Sequence, residues 1–280
     1  MKRYLILLIS TLLITLSCEQ DIFVEADPQL NIEGWIDADG FPVVILTETI
    51  VTSDEYRDYS DLNKYVIKWA KVTVSDGEQE VILTGKSSES YFPPYIYTTG
   101  RMRGVAGKEY KLTVEYKDYF AEAVTQIPPK ASLDSVVALR CDGSDSLFYI
   151  KAHFTDPTKE KNYYKFFTKI AHRDSFYLSP TLSTLNDAEF TSDTVSTTIY
   201  CGNTVLDEEK QTYFKAGDEV FLKFAQIDSA AFDFWDMYKD VIELSRNPLM
   251  PYSRNLPSNI KGGCGYWFGY GATEYRIEVK

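Results

Sequence analysis

Strict alternation of apolar and polar residues is the feature that most narrows the fold of this chain. From Glu109 to Tyr116, Tyr110, Leu112 and Val114 fall on one side of an extended chain, and Lys111, Thr113 and Glu115 on the other. Lys117-Asp118 then turns the chain into Tyr119 to Gln126. The pattern recurs upstream. Gln29 to Ile36 stops at Asp37-Ala38-Asp39-Gly40 and returns as Pro42 to Thr49; Tyr65 to Ser75 turns at Asp76-Gly77 into Glu80 to Leu83. An Asp-Gly pair between apolar runs is a hairpin signal. Tyr91 to Thr98 carries Pro93-Pro94, which confines it to an edge or a loop. Short strands with turn signals at this spacing predict a β-sandwich over residues 29–127. The 21 tyrosines and 16 phenylalanines suit a pleated, half-buried surface.

Ile127-Pro128-Pro129-Lys130 marks a boundary, because two prolines cannot continue a ladder and stiffen a connection. Strands resume at Leu133 to Cys141, Ser146 to Phe154, Asn162 to Ala171, Val195 to Tyr200 and Glu219 to Ile227, with Thr181 to Thr194 as a polar excursion. The period then changes. Phe232, Trp235, Tyr238 and Ile242 fall near helical spacing, Asp228 or Ser229 can cap the start, and Arg246-Asn247-Pro248 ends the run. A proline-rich stretch, Pro248 to Pro257, follows; glycine-rich Gly262 to Gly271 then leads into a last strand, Thr273 to Lys280. The expected fold is mainly β: an N-terminal immunoglobulin-like β-sandwich, then a second β-rich domain (131–280) with one helix near 229–246. Gly107-x-x-Tyr110-x-Leu112 also resembles the tyrosine-corner strand of immunoglobulin-like folds.

The N-terminus addresses the chain. Lys2 and Arg3 precede an apolar run, Tyr4 to Leu16, too short to span a bilayer, and Ser17-Cys18 closes it. Residues 1–17 read as a signal peptide. Ile14-Thr15-Leu16-Ser17-Cys18 resembles a lipobox, with Cys18 as the lipidated first residue of the mature chain. Residues 18–28 read as a polar tether, and Glu19 and Asp21 resemble the surface-export signal of Bacteroidota lipoproteins. The expected location is the outer membrane, lipid-anchored, on its periplasmic face or the cell surface. The formal charge of −12 becomes −14 once Lys2 and Arg3 are lost, which speaks against nucleic-acid binding and makes acyl chains, rather than a basic patch, the membrane partner.

Several segments line up with one family: Leu30-x-Ile32-Glu33-Gly34-Trp35-Ile36, Ala70-x-Val72-x-Val74-x-Asp76-Gly77, Gly107-x-x-Tyr110, Leu133-Asp134-Ser135-Val136, Phe154-x-Asp156-Pro157, Asn162-Tyr163-Tyr164, and Ser258-Asn259-Ile260-x-Gly262-Gly263-x-Gly265. Together, in order and over nearly the whole mature chain, these resemble the Bacteroidota outer-membrane lipoproteins catalogued as domain of unknown function 4249. The resemblance implies an outer-membrane lipoprotein, often encoded beside TonB-dependent receptors. It carries no catalytic residues.

Chemistry-bearing patterns are sparse. Gly107-Lys108 fails as a P-loop, since Met102 stands where the first glycine belongs and Glu109 where Ser or Thr belongs. His153 and His172 are expected on separate strands, and a zinc site needs three or four ligands. Asp37-x-Asp39-Gly40 reads as a turn rather than the opening of a calcium loop, because an apolar strand follows where oxygen ligands are needed. The acidic loop with Asp54, Glu55, Asp58 and Asp61 reads as solvated. No cofactor and no metal are expected. Cys141, Cys201 and Cys264 in an oxidising compartment predict one disulfide and one leftover thiol, with the three pairings open. The aromatic–proline stretch offers Tyr91, Phe92, Tyr95 and Tyr97 as a rigid surface for a protein, peptide or glycan; the competing reading has these rings covering one end of the core. The expected function is non-catalytic: an accessory or ligand-capture partner of a TonB-dependent receptor. The alternative is a stand-alone glycan-binding or adhesive lipoprotein, and a hydrolase is the remaining reading.

Overall fold

The computed structural model describes residues 28–49, 63–157, 160–203, 211–244 and 255–280. The signal segment, Cys18, the tether up to residue 27 and the acidic loop of Asp54 to Asp61 lie outside the described residues.

The first half contributes strands β1 (Leu30–Asp37), β2 (Val43–Glu48), β3 (Lys71–Ser75), β4 (Glu80–Ile82), β5 (Thr84–Ser87), β6 (Tyr95–Thr98), β7 (Glu109–Tyr116) and β8 (Tyr119–Gln126). The second contributes β9 (Ser135–Arg140), β10 (Leu147–Thr155), β11 (Tyr163–Ile170), β12 (Thr184–Asn186), β13 (Thr194–Ile199), β14 (Phe214–Lys215), β15 (Glu219–Ile227), the helix α1 (Ser229–Leu244) and β16 (Cys264–Glu278). The protein is mainly β, and among the described residues its α-helix comes late in the chain. An eight-stranded sheet runs in the order β12-β11-β15-β16-β1-β2-β6-β5. One four-stranded sheet, β4-β3-β7-β8, packs on its N-terminal half; a second, with β9, β13 and β14 all paired to β10, packs on its C-terminal half.

The alternation read from the sequence produces the first core. Leu30, Ile32 and Ile36 of β1 and Val44 and Leu46 of β2 meet Val72, Val74, Leu112, Val114, Ala121 and Ala123 of the facing sheet. Tyr110 is wholly buried and closes a tyrosine corner: its hydroxyl donates to the Arg103 carbonyl (3.2 Å) and accepts from the Val105 amide (2.9 Å). The second core is more aromatic, with Phe148, Phe154, Tyr164, Phe166 and Phe224 around Ile150, Val220 and Leu222.

The hydrophobic clusters part at the proline linker. Apart from Ile260 and Trp267, the first ends at Ile127, and the second begins at Ala131. The hydrogen-bonded sheet does not part there. The N-terminal half of β16 runs parallel to β1, Asn31 opposite Cys264 through Asp37 opposite Tyr270, and its C-terminal half runs antiparallel to β15. Residues 264–270 therefore complete the sheet of the first sandwich, although strands β9 to β15 of the second precede them.

This strand starts nine residues earlier than the sequence pattern suggests, since Gly262 to Gly271 reads as a loop. The reason is close backbone approach. A Cβ on Gly269 would lie 2.6 Å from the Gln126 carbonyl oxygen, and one on Gly271 2.0 Å from that of Pro129. The glycines let the linker cross directly over the strand. Gly34 plays a matching part opposite Trp267, where a Cβ would come within 2.8 Å of the indole. Two smaller differences follow from local chemistry. Of the expected strand Tyr65 to Ser75, only Lys71–Ser75 pairs as a strand, and the polar excursion holds β12 and a 3-10 turn at Asp187–Glu189.

The helix starts where its pattern predicts, and its expected end at Arg246-Asn247-Pro248 lies outside the described residues. The Asp228 carboxylate accepts from the Ala231 amide (2.8 Å), an N-cap bond. Ala231, Phe234, Trp235 and Tyr238 then lie on the outer face of the long sheet, against Phe167, Ala225, Ile227, Tyr266, Phe268 and Tyr270. The expected disulfide is absent: Cys141, Cys201 and Cys264 are all free. Cys201 is buried, and Cys264 faces the Leu30 carbonyl and the Asn31 amide oxygen at 3.6 and 3.5 Å.

Candidate functional site

The strongest surface feature lies where the chain crosses between the sheets of the first sandwich. The Ile67 amide donates to Leu46 O (2.9 Å), pinning this segment to β2. The Tyr97 hydroxyl donates to Ile67 O (3.0 Å) and accepts from the Ala70 amide (3.0 Å), stapling both ends of a four-residue stretch. The Tyr95 hydroxyl donates to Lys68 O (3.1 Å), and the two rings meet edge-on at 5.6 Å. Trp69 stands between these staples with 89% of its surface exposed. By contrast Trp267 is 0% and Trp235 9% exposed. Leaving an indole in water forgoes roughly 2–3 kcal/mol of burial. A tryptophan held out on a fixed backbone has the character of a contact residue.

Beside it lies a cleft of about 250 Å³ lined by Asn63, Val66, Lys68, Ser87, Pro94 and Tyr95. Its amide, hydroxyl, amine and phenol groups can hydrogen-bond a polar ligand, and its proline and valine give it an apolar floor.

The sequence-selected aromatics divide. Tyr95 lines the cleft. Tyr91 is half-buried, packing on Trp35 at 5.9 Å and on the cluster of Val43, Ile45 and Ile96. Phe92 is half-buried. Tyr97 is only 2% exposed and is a staple rather than a contact residue, which corrects its place in the candidate surface. Cys18 lies outside the described residues. Trp69 was the residue missed. It was legible in principle: in Ala70, Val72 and Val74 the apolar positions are even, and Trp69 keeps phase with exposed Lys71.

Other chemistry-bearing groups are tied up. Asp37 Oδ1 pairs with Lys223 Nζ at 2.5 Å, and Asp39 pairs with Lys130, so the two carboxylates of the Asp37-Ala38-Asp39-Gly40 turn diverge to different lysines. His153 lies on β10 and His172 in the turn after β11. Among the described residues, no group of three His, Cys, Asp or Glu side chains converges as a metal site would require. Burial pushes the Cys201 thiol up to about 12, so it is a poor nucleophile. Lys165, fully buried, hydrogen-bonds the hydroxyls of Ser183 (2.6 Å), Ser179 (2.8 Å) and Thr184 (3.2 Å), and burial lowers its pKa well below the ordinary range. This resembles a serine–lysine pair, yet Ser183 is 1% exposed and donates its own proton to Pro180 O. Burial likewise raises Glu33, opposite Tyr266 on the outer face, from 4.5 to about 7.

The short segments that carried the sequence resemblance serve the fold. Asn259 clamps Trp267 by two bonds, donating to its carbonyl (2.7 Å) and accepting from its amide (2.9 Å). Asp156 accepts from Tyr164 (2.5 Å) and Asn162 (3.1 Å), and Asn162 in turn accepts from Gln226 (2.6 Å). Cβ atoms on Gly262, Gly263 and Gly265 would collide with carbonyls of Phe120, Leu30 and Ile32.

The class these features define is a β-rich, two-core protein threaded by one C-terminal strand. The chain belongs to the family described as Domain of unknown function (DUF4249), whose model matches residues 18–276. No curated protein matches the chain.

Proposed function

We propose that this chain is a non-catalytic lipoprotein of the outer membrane, anchored through Cys18, that assists a TonB-dependent receptor in capturing a ligand. The observation that carries the anchoring is the basic, apolar and Leu16-Ser17-Cys18 layout of the first eighteen residues, and the family match starts at residue 18. An acyl anchor confines the body near a receptor mouth and raises its effective concentration, so a weak contact suffices. Trp69 and Tyr95, with half-buried Phe92 and Tyr91 at the margin, are the contact surface of this reading. The enclosed lysine–hydroxyl cluster has no nucleophilic part in this reading, because no substrate reaches a serine that is 1% exposed.

The test is a mild-detergent pull-down of tagged protein from its native outer membrane, with Cys18→Ala as control. Stoichiometric recovery of a large β-barrel receptor, lost in Trp69→Ala, is the expected result. Recovery of the lipoprotein alone overturns the receptor reading. The cleft of Asn63, Ser87, Lys68 and Tyr95 favours a second reading, a stand-alone glycan binder, which a glycan array with Asn63→Ala and Tyr95→Ala variants would detect.

A further inference from the structure

Trp69 shares its end of the molecule with the point from which the tether leaves. The Tyr119 hydroxyl donates to Pro28 O (2.8 Å), and Gln29 and Thr49 exchange bonds of 2.8 Å, so the tether's exit is fixed beside the β7–β8 hairpin tip. Thr47 bridges Val66, which brings Lys64 and Tyr65 to the same level, and Lys71, two residues past Trp69, pairs with Glu115 next to that tip.

The side chains here follow one pattern. Lys64 lies over the ring of Tyr65 (5.0 Å), Lys68 over Tyr95 (5.9 Å) and Lys117 over Tyr116 (4.7 Å), and Tyr116 stacks with Tyr119 at 6.5 Å. Trp69 is 89% and Phe120, just past the tip, 56% exposed. Amphipathic aromatic rings with lysine ammoniums over their faces are the chemistry of a membrane–water boundary.

We infer that, when no receptor covers it, this end of the first sandwich rests on the lipid surface, with Trp69 and Phe120 at the headgroup level and Lys64 and Lys68 reaching lipid phosphates. The inference rests on the proposed lipidation of Cys18. Chain length then selects the occupant. Ten peptide steps separate Cys18 from Pro28, a reach of at most about 36 Å. Exposed apolar groups at this end are therefore held at high local lipid concentration. Two of the acids here, half-buried Glu48 and exposed Glu115, are already paired with Lys117 and Lys71, and the body is acidic overall. The expected surface is therefore zwitterionic, and contact depends on the aromatic rings rather than on net charge.

The mature protein, purified from membranes and reconstituted into phosphatidylethanolamine–phosphatidylcholine vesicles with brominated acyl chains, provides the test. Emission unique to Trp69 is obtained by subtracting the spectrum of Trp69→Phe, and the N-terminal peptide is weighed in parallel. The expected result is a blue-shifted Trp69 component that loses most of its intensity to brominated lipid and resists aqueous acrylamide. An acylated protein whose Trp69 is quenched by acrylamide and not by brominated lipid overturns the inference while leaving the lipoprotein reading intact. An N-terminal peptide without acyl mass overturns the lipoprotein reading and the inference together.

Discussion

The two faces of the eight-stranded sheet are made by the same strands, yet they bury their residues by different means. The inner face is hydrocarbon and aromatic: Ile32 and Ile36 of β1, Trp267 of β16, Leu222 and Phe224 of β15, Phe166 of β11. Where two backbones must touch, it uses glycine. The outer face, partly under α1, carries Glu33, Lys165 and Lys223 among its aromatics, and each charge must be neutralised in place. Lys223 does so with a carboxylate from the other half of the molecule, Asp37, while lying 4.7 Å from the centre of the Tyr270 ring. Lys165 instead has hydroxyl partners and the faces of Trp235 (5.1 Å) and Phe167 (5.5 Å). The inner face is thus vulnerable to added volume, and the outer face to lost or unbalanced charge.

The sharpest way to break the inner face is Gly271→Val. Its Cβ would meet Pro129 O at 2.0 Å and Pro128 O at 2.7 Å, both backbone atoms that cannot rotate away. The expected loss is about 4 kcal/mol or more, read as a fall in the denaturant midpoint. A variant with wild-type stability would mean that the linker does not cross the strand there.

On the outer face, Asp37→Asn leaves Lys223 charged and without its carboxylate. The aspartate side chain is 26% exposed, so water offsets part of the cost, and a loss of about 2–3 kcal/mol is expected. Adding Lys223→Met should recover most of it, since the second change removes the unpaired charge. If the double variant is no better than Asp37→Asn, the aspartate's worth lies elsewhere, in the turn that it opens.

This contrast also explains which parts were legible in the sequence. The inner alternation of β7 is visible because its other face meets water: Lys111, Thr113 and Glu115 mark the period. β16 has no such marker, since Tyr266 to Ala272 are all buried, on one side by the first core and the linker and on the other by α1. A strand buried on both faces loses its period, and its glycines then read as loop. Lys165 and Lys223 mislead in the opposite sense: on β11 and β15 they suggest a solvent face where a helix or loop lies. The candidate contact surface was half-legible. The aromatic–proline stretch drew notice by composition, but only the hydroxyl bonds of Tyr95 and Tyr97 show that it serves to hold up Trp69.

Lys165 and Glu33 sharpen the comparison, because burial drives their stability profiles in opposite directions. The folded-state pKa of Lys165 is lowered below 10.5, so the native state binds its proton less tightly than the unfolded chain. Its stabilising contribution is full above pH 10.5 and is lost as pH falls through the folded value. Lys165→Met should therefore stabilise the protein near pH 7, by about 1–2 kcal/mol, and flatten the rise toward alkaline pH. A variant less stable than wild type at pH 7 would mean that the hydroxyl cage compensates the ammonium fully.

Glu33 is the smaller effect, since its side chain is only half-buried. Its pKa is raised from 4.5 to about 7, so the native state binds the proton more tightly. Stability from this group is full below pH 4.5, falls as pH rises to about 7, and is flat above. Glu33→Gln mimics the protonated form at every pH. At pH 8 it should exceed wild type by about 1 kcal/mol, and at pH 4 the two should coincide. Thermal melts at half-unit steps from pH 4 to pH 8 measure the convergence. Parallel curves over that range would mean that Glu33 stays ionised in the fold, and that the outer face between β2 and β16 is wetter than its aromatic neighbours imply.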